Sequence, residues 1–363
     1  MAVLTVLVDQ HCHSVVQADL DEAGFTRLIT ESDRPPAPGT SPFDSAIGLA
    51  VRRWCPPVFG LPALAEPAAY LAARRAAGAA EATRRLLTAA GADRLLVDTG
   101  LTEAGGRPLL PIAELAAAAG AEVHTVVRLE HVAEGVEADP AAWPEAVAEA
   151  LAAACAGAVA VKSVLAYRAG LAVPAGPPTR AEVVRAAAGR TGRRLTDPVL
   201  LRHLLWSAVE LGLPIQLHTG FGDPDLRLAQ ADPALLVDFV RAVEPSGVPL
   251  VLLHGYPYHR QAAWLAHAFP HVYADVGLTL SYTGPRAAAV LGEVLELAPF
   301  GKVVFSSDAY GLPELFLVGA AQFRHALAVL LAGWQADGAC GTADARRIEE
   351  LVSGGNARRL YGI

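Results

Sequence analysis

The chain has 363 residues, 53% of them hydrophobic and 18% charged, with a formal net charge of −8 and a pI near 5.8. That is ample for the core of one large α/β domain or two ordinary ones, and it excludes a disordered segment. The acidic balance argues against a nucleic-acid or anionic-membrane partner, and four cysteines without a CxxC pair form neither a disulfide framework nor a structural zinc site.

The N-terminus, "MAVLTVLVDQHCH", has no basic segment and no small-residue cleavage site, so it reads as a first strand over 4–13. Residues 14–62 are rich in Pro, Gly and Asp and too long for a simple connection, which predicts an insertion or lid at one end of the fold. Further strands are predicted at 93–100, 122–130, 157–165, 214–221, 249–256, 271–278 and 302–309. Alanine-rich helical stretches separate them at 63–90, 141–155, 197–212, 232–244, 259–268, 285–298 and 314–333. A second insertion covers 170–198. Eight strands alternating with helices predict a closed (β/α)₈ TIM barrel over 1–363, with an insertion after the first strand. No run of some 18–20 clean apolar residues is found, so no membrane span is expected. A reducing cytoplasm, a small-molecule substrate as partner and an optional homo-oligomer fit this reading.

Only two lysines, Lys162 and Lys302, stand among 29 Lys and Arg. With abundant Ala, Gly and Pro, this resembles the drift of a GC-rich bacterial genome. A lysine retained against that drift marks a position that needs amine chemistry, with chance retention as the plain alternative.

In such a barrel, chemistry sits at the C-terminal ends of the strands. Polar residues there are His11 and His13 on the first strand, Lys162 on the fourth, His218 on the fifth, His254 on the sixth and Asp308 on the eighth. Alone, each has an ordinary explanation: a hydrogen-bonded core histidine, a turn aspartate, a lysine reaching solvent. Together, at equivalent heights on five strands, they form the donor set that a divalent metal needs. The other seven histidines fall in helices, in a loop (His131) or at the wrong end of their strands (His124, His271). Arg168, just beyond Lys162, is a candidate clamp for a substrate carboxylate, and Asp223 for an ammonium group. Tyr167, Tyr256 and Tyr310 flank ligand positions as candidate pocket walls. Asp98 and Glu130 end strands two and three, facing the same mouth.

The order HxH, strand-four lysine, single histidines on strands five and six, and strand-eight aspartate resembles the amidohydrolase superfamily. "VKSVLAYRAGL", "PIQLHTGFGD", "HVYADVGL", "KVVFSSDAYGLPELFLVGA" and "NARRLYGI" resemble the branch at the N-terminus of FluG and nodulin-type proteins, where the barrel is fused to a glutamine synthetase. The resemblance implies that His11, His13 and Asp308 hold a first metal. It also implies that Lys162 is carbamylated and bridges to a second metal on His218 and His254. Zinc is expected from the histidine content, with manganese or iron as alternatives, in one or two ions. The implied activity is hydrolysis of a carbon–nitrogen bond by a metal-activated hydroxide, with Asp308 as proton shuttle and His254 or a metal polarising the carbonyl. The implied substrate is a small carboxylate-bearing amide, such as a γ-glutamyl amide. Two other readings stand beside it. One is a mononuclear decarboxylase of the same superfamily, distinguished by a free Lys162 amine; the other is a catalytically silent regulatory barrel.

Overall fold

The computed structural model describes residues 6–363; the residues before Val6, where the first predicted strand begins, lie outside it. Eight strands form one sheet: β1 (Leu7–Cys12), β2 (Ala92–Asp98), β3 (Glu122–Arg128), β4 (Ala160–Ser163), β5 (Ile215–Thr219), β6 (Leu250–His254), β7 (Val272–Asp275) and β8 (Val303–Val304). Each pairs in parallel with the next. The circle closes between the segment after β8 and β1, through Gln10 N to Phe305 O at 3.0 Å, Asp308 N to His11 O at 3.0 Å and His13 N to Ala309 O at 2.8 Å. This is the (β/α)₈ barrel that the alternation of strand and helix predicts.

Small and branched side chains fill the barrel's lower interior: Val8, Leu96, Val126, Ala160, Val251 and Val304 are all fully buried. The C-terminal helix Asn356–Tyr361 plugs that end, because Asn356 Nδ2 donates to Phe300 O at 2.7 Å and Val303 O at 2.8 Å. A polar layer follows above. Gln216 Nε2 donates to Gln10 O and to the Tyr361 hydroxyl, which donates to Gln10 Oε1 at 2.6 Å. Each buried polar group here finds a partner.

The structure corrects several sequence boundaries. The helix expected over 63–90 is two helices, Pro67–Ala77 and Ala79–Ala90, broken at Gly78, whose φ of 80° no helix accommodates. Residues 14–62 carry two helices of their own, Glu22–Leu28 and Ala46–Trp54, capped by Asp21 and Ser45. Stacked Phe25 and Phe43 rings, 5.6 Å apart, hold them together. Beside them Tyr70 and Arg74 both bond the buried Glu314 Oε1, at 2.7 and 2.6 Å, which ties this roof to the helix Pro313–Ala336. That 24-residue helix is apolar and long enough to cross a membrane, against the expectation of no such segment, but most of it is buried inside the barrel's outer layer.

Candidate metal centre

Two side chains beneath the rings set their orientation. His11 Nδ1 lies 2.8 Å from Gln216 Oε1, and since the Gln216 amide nitrogen is spent on Gln10 and Tyr361, that oxygen accepts a proton from Nδ1. His13 Nδ1 likewise faces the Asp98 carbonyl at 3.3 Å. Both rings therefore carry their proton on Nδ1 and turn the Nε2 lone pair inward. A break in the β1 register between Asp9 and Cys12 lets the consecutive side chains of Gln10 and His11 both reach Gln216.

Asp308 stands where these lone pairs converge. Its Oδ1 is 3.1 Å from His11 Nε2 and 3.5 Å from His13 Nε2, and its Oδ2 is 3.1 Å from His254 Nε2. Lys162 Nζ, buried on β4, is 2.9 Å from His11 Nε2. His218 packs against His254 with ring centroids 5.0 Å apart. The structure thus brings all six residues of the sequence-derived set to one mouth. His254 and Asp308 have φ of 65° and 48°, and they are two of the three non-glycine residues with positive φ among the described residues. Such backbone costs about 1–3 kcal/mol and persists where the surroundings over-determine it. Here Asp275 Oδ2 accepts from His254 N and Ser306 Oγ, and Asp9 Oδ1 accepts from Ser307 N, next to Asp308.

Burial dominates the electrostatics. It pushes the His11 imidazole down to about 4 and His254 to about 3, with the Lys162 charge adding to the effect, so the rings are neutral at neutral pH. Burial also pulls the Lys162 ammonium below its ordinary value. For Asp308, burial would raise the pKa, but a proton on any of the facing His254, His11 or His13 rings lowers it more, so the carboxyl lies well below its ordinary value.

These residues fit a divalent cation. Two lone-pair-bearing atoms facing each other, His11 Nε2 and Asp308 Oδ1, call for a positive charge between them. His218 Nε2 and both nitrogens of His254 are buried without a hydrogen-bond partner. Neutral imidazoles around a carboxylate are the donor set of zinc-class ions. His11, His13 and Asp98 also offer atoms within 4.8 Å of one another. Asp98 is already engaged, however: its Oδ2 accepts from Arg128 at 2.6 and 3.0 Å and its Oδ1 from Gly100 N at 2.8 Å. The Arg128 guanidinium holds it well below the usual carboxylate range despite burial.

A cavity of about 520 Å³ opens above the cluster, lined by His13, Lys162, His218 and Asp308 from the barrel and by residues of the insertion. Of the proposed pocket walls, Tyr167, Arg168, Asp223 and Tyr310 line it. Tyr167 lies over His218 with centroids 4.5 Å apart, and this needs glycine at 222, where a Cβ would come 1.8 Å from the Tyr167 hydroxyl. Three placements differ from the sequence reading. Asp98 is at the mouth beside His11 and His13, but its oxygens are taken by Arg128 and Gly100 N and it does not line the cavity. Glu130 is carried away from it because β3 stops at Arg128 and the chain turns into the helix Leu129–Glu134; its Oε1 accepts from Ser163 Oγ at 2.6 Å and Val164 N at 3.0 Å. Tyr256 is turned outward after Gly255 (φ 74°), stacks on His259 and is 37% exposed. His131 lies in that same helix, not in a loop.

Sequence reasoning missed Arg128, Gln216 and Glu31. Strand alternation could have found Gln216, two residues before His218 on β5, and Arg128, which is in register with Lys162. Glu31 carries no such signal; it belongs to the irregular insertion.

Comparison with known proteins places this geometry. A family model described as amidohydrolase matches residues 55–363. The protein fluG of Emericella nidulans is 36% identical over 152 residues, which are 41% of this chain and 17% of that relative, so the match spans a small part of its length. A solved structure described as a metal-dependent hydrolase, from Lactobacillus casei ATCC 334, superposes with a TM-score of 0.82 at 28% identity, covering 99% of this chain and 96% of the other. Glucuronate isomerase from Caulobacter crescentus superposes with a TM-score of 0.65 at 16% identity over 99% and 91%, a likeness of fold.

Proposed function

The chain belongs to the amidohydrolase family, and from that premise we propose that it hydrolyses a carbon–nitrogen bond in a small, carboxylate-bearing amide, of which a γ-glutamyl amide is the model. In this reading His11, His13 and Asp308 hold a first divalent ion, zinc by preference. Lys162, carbamylated, reaches a second with His218 and His254. The observation that carries it is the two-sided Asp308 carboxylate, with His11 and His13 on one oxygen and His254 on the other, and the buried Lys162 amine alongside.

A divalent ion bound there supplies Lewis acidity, polarising a carbonyl and bringing the pKa of water toward neutrality. The chain's own residues do the rest. Asp308, ionised and aimed into the cavity, accepts the proton of the attacking water on a carboxylate oxygen and delivers it to the leaving nitrogen. His254, whose backbone N–H is held by Asp275, brings its Nε2 to 3.1 Å from Asp308 Oδ2, and either this ring or a bound ion would polarise the scissile carbonyl. Lys162 with its amine unprotonated, as burial favours, can add carbon dioxide through a new N–C bond, losing one N–H proton to water and turning a neutral amine into a carbamate anion; an arginine there could not. Arg168 binds the substrate carboxylate. Its Nη2 lies 3.3 Å from Glu134, while its Nη1 is buried without a partner.

Asp308→Asn separates chemistry from binding. The variant is expected to keep its metal by elemental analysis while turnover of a carboxylate-bearing amide falls about 10²–10⁴-fold. Turnover within a factor of a few of wild type would remove Asp308 from the proton path.

A further inference from the structure

Three arginines cluster on one side of the cavity, with Arg194 paired to Asp225 at 2.9 Å, and Arg27 lines it from the insertion. Arg128 ends β3 and Arg168 follows β4; Arg194, from the second insertion, lies on the same wall. Arg168 is faced by Glu134, Arg194, Glu130 and Arg128. Across an eight-stranded barrel, strands three and four lie opposite strands seven and eight. From that far side the insertion is pinned over the mouth: Tyr282 donates to Ile29 O at 3.4 Å and Tyr310, after β8, to Thr30 O at 3.1 Å. The pinned segment ends in Glu31, which enters the cavity with Tyr282 Oη 3.5 Å from its Oε1. Glu31 faces Asp308 and Asp223, with Lys162 as the nearby cation. Asp223, on the loop after β5, is half-buried and lines the same cavity.

We infer that this cavity takes a zwitterionic substrate, whose carboxylate lies against Arg168 and whose protonated amine lies against Glu31 and Asp223, among Tyr167, Tyr282 and Tyr310. The inference rests on the hydrolase reading for the identity of the scissile amide, and it assigns residues to the ammonium group that a γ-glutamyl amide carries and that reading leaves without a partner. Two unsatisfied features of opposite sign call for it. On one wall Arg168 lines the cavity and its Nη1 is buried without a partner. On the other, among the described residues, Glu31 faces no arginine and has only Lys162 as a cation near it. Asp223, between the two walls, faces Arg194, which is itself paired with Asp225. Tyr167 and Tyr310, whose rings favour an ammonium group, line the same space. Burial, with the Asp308 and Asp223 charges added, pushes Glu31 up to about 8, so an ammonium group beside it would favour its ionised form. A substrate with one carboxylate and no amine would leave this wall empty.

The test uses the zinc-loaded protein and two non-hydrolysable probes, L-glutamate and glutarate, which differ by the amine, with binding read by calorimetry. L-Glutamate is expected to bind at least about 10-fold more tightly than glutarate, a difference of one charge-assisted contact. In Glu31→Gln that ratio falls to about one with glutarate binding unchanged; should this variant not fold, Asp223→Asn on its open loop carries the same test. Equal affinity of the two probes for wild type, survival of the ratio in the variants, or no binding of L-glutamate at millimolar concentration would each overturn the inference. Hydrolysis is scored separately, on γ-glutamylmethylamide and on N-methylglutaramate, its counterpart without the amine. If both are cleaved equally, the hydrolase stands and the amine site falls. If neither is cleaved while the L-glutamate preference holds, the amine site stands and the hydrolase reading falls.

Discussion

The two ends of the barrel treat their polar side chains differently. At the N-terminal end Lys302 Nζ donates to the carbonyls of Ala266 and Phe269, and Arg324 donates to those of Ala90 and Gly91. These cations close helix ends and strand entries, and their partners are backbone. At the C-terminal end Lys162, equally rare in kind, meets another side chain, His11, in a group where three imidazole nitrogens of His218 and His254 have no partner. An unpartnered nitrogen alone does not mark a site, since His271, just before β7 at the N-terminal end, has two. What distinguishes the mouth is convergence: several lone pairs turned toward one carboxylate by groups beneath them.

The sharpest way to break this contrast is to remove each lysine in turn. Lys162→Ala is expected to lower turnover by more than about 10²-fold, beyond the cost of losing an outer-sphere partner, and to lose metal with it. Short carboxylic acids added to that variant should restore part of both by standing in for the carbamate. A variant that keeps full metal and turnover would make the two lysines equivalent.

A second test concerns the buried rings. In metal-free protein, burial holds His11 at about 4 and His254 at about 3, below the ~6.5 of an exposed imidazole. The unfolded chain therefore binds more protons throughout that window, and stability falls as pH drops through it, by on the order of 3 kcal/mol per ring. Denaturant midpoints of the metal-free protein that match at about pH 7 and about pH 4 would contradict neutral, buried rings. The smallest effect belongs to the other lysine. Lys302→Met should cost about 1–2 kcal/mol in urea unfolding, the loss of two backbone partners, and leave metal content unchanged.

Much of this was legible in the sequence because a barrel has a simple grammar. Apolar runs ending in His218 and His254 locate strand ends, and strand ends locate the mouth. The side chains that were misplaced failed within one or two residues of a strand end, where the alternation that orders a strand no longer applies. Glu130 is carried off by a helix that begins at Leu129, and Tyr256 by the turn at Gly255. Asp98 was read as a wall because its partner, Arg128, lies 30 residues away on the neighbouring strand. Glu31 was illegible for another reason. Its segment has no periodicity, and the hydroxyls that pin it, of Tyr282 and Tyr310, come from the far end of the chain.

The central claim is that six side chains at one end of the barrel hold two ions around Asp308. Elemental analysis of protein reconstituted with zinc and bicarbonate tests it most directly. Two equivalents per chain, falling toward one when bicarbonate is withheld and in Lys162→Ala, is the predicted result; one equivalent, indifferent to bicarbonate and to Lys162, would contradict it.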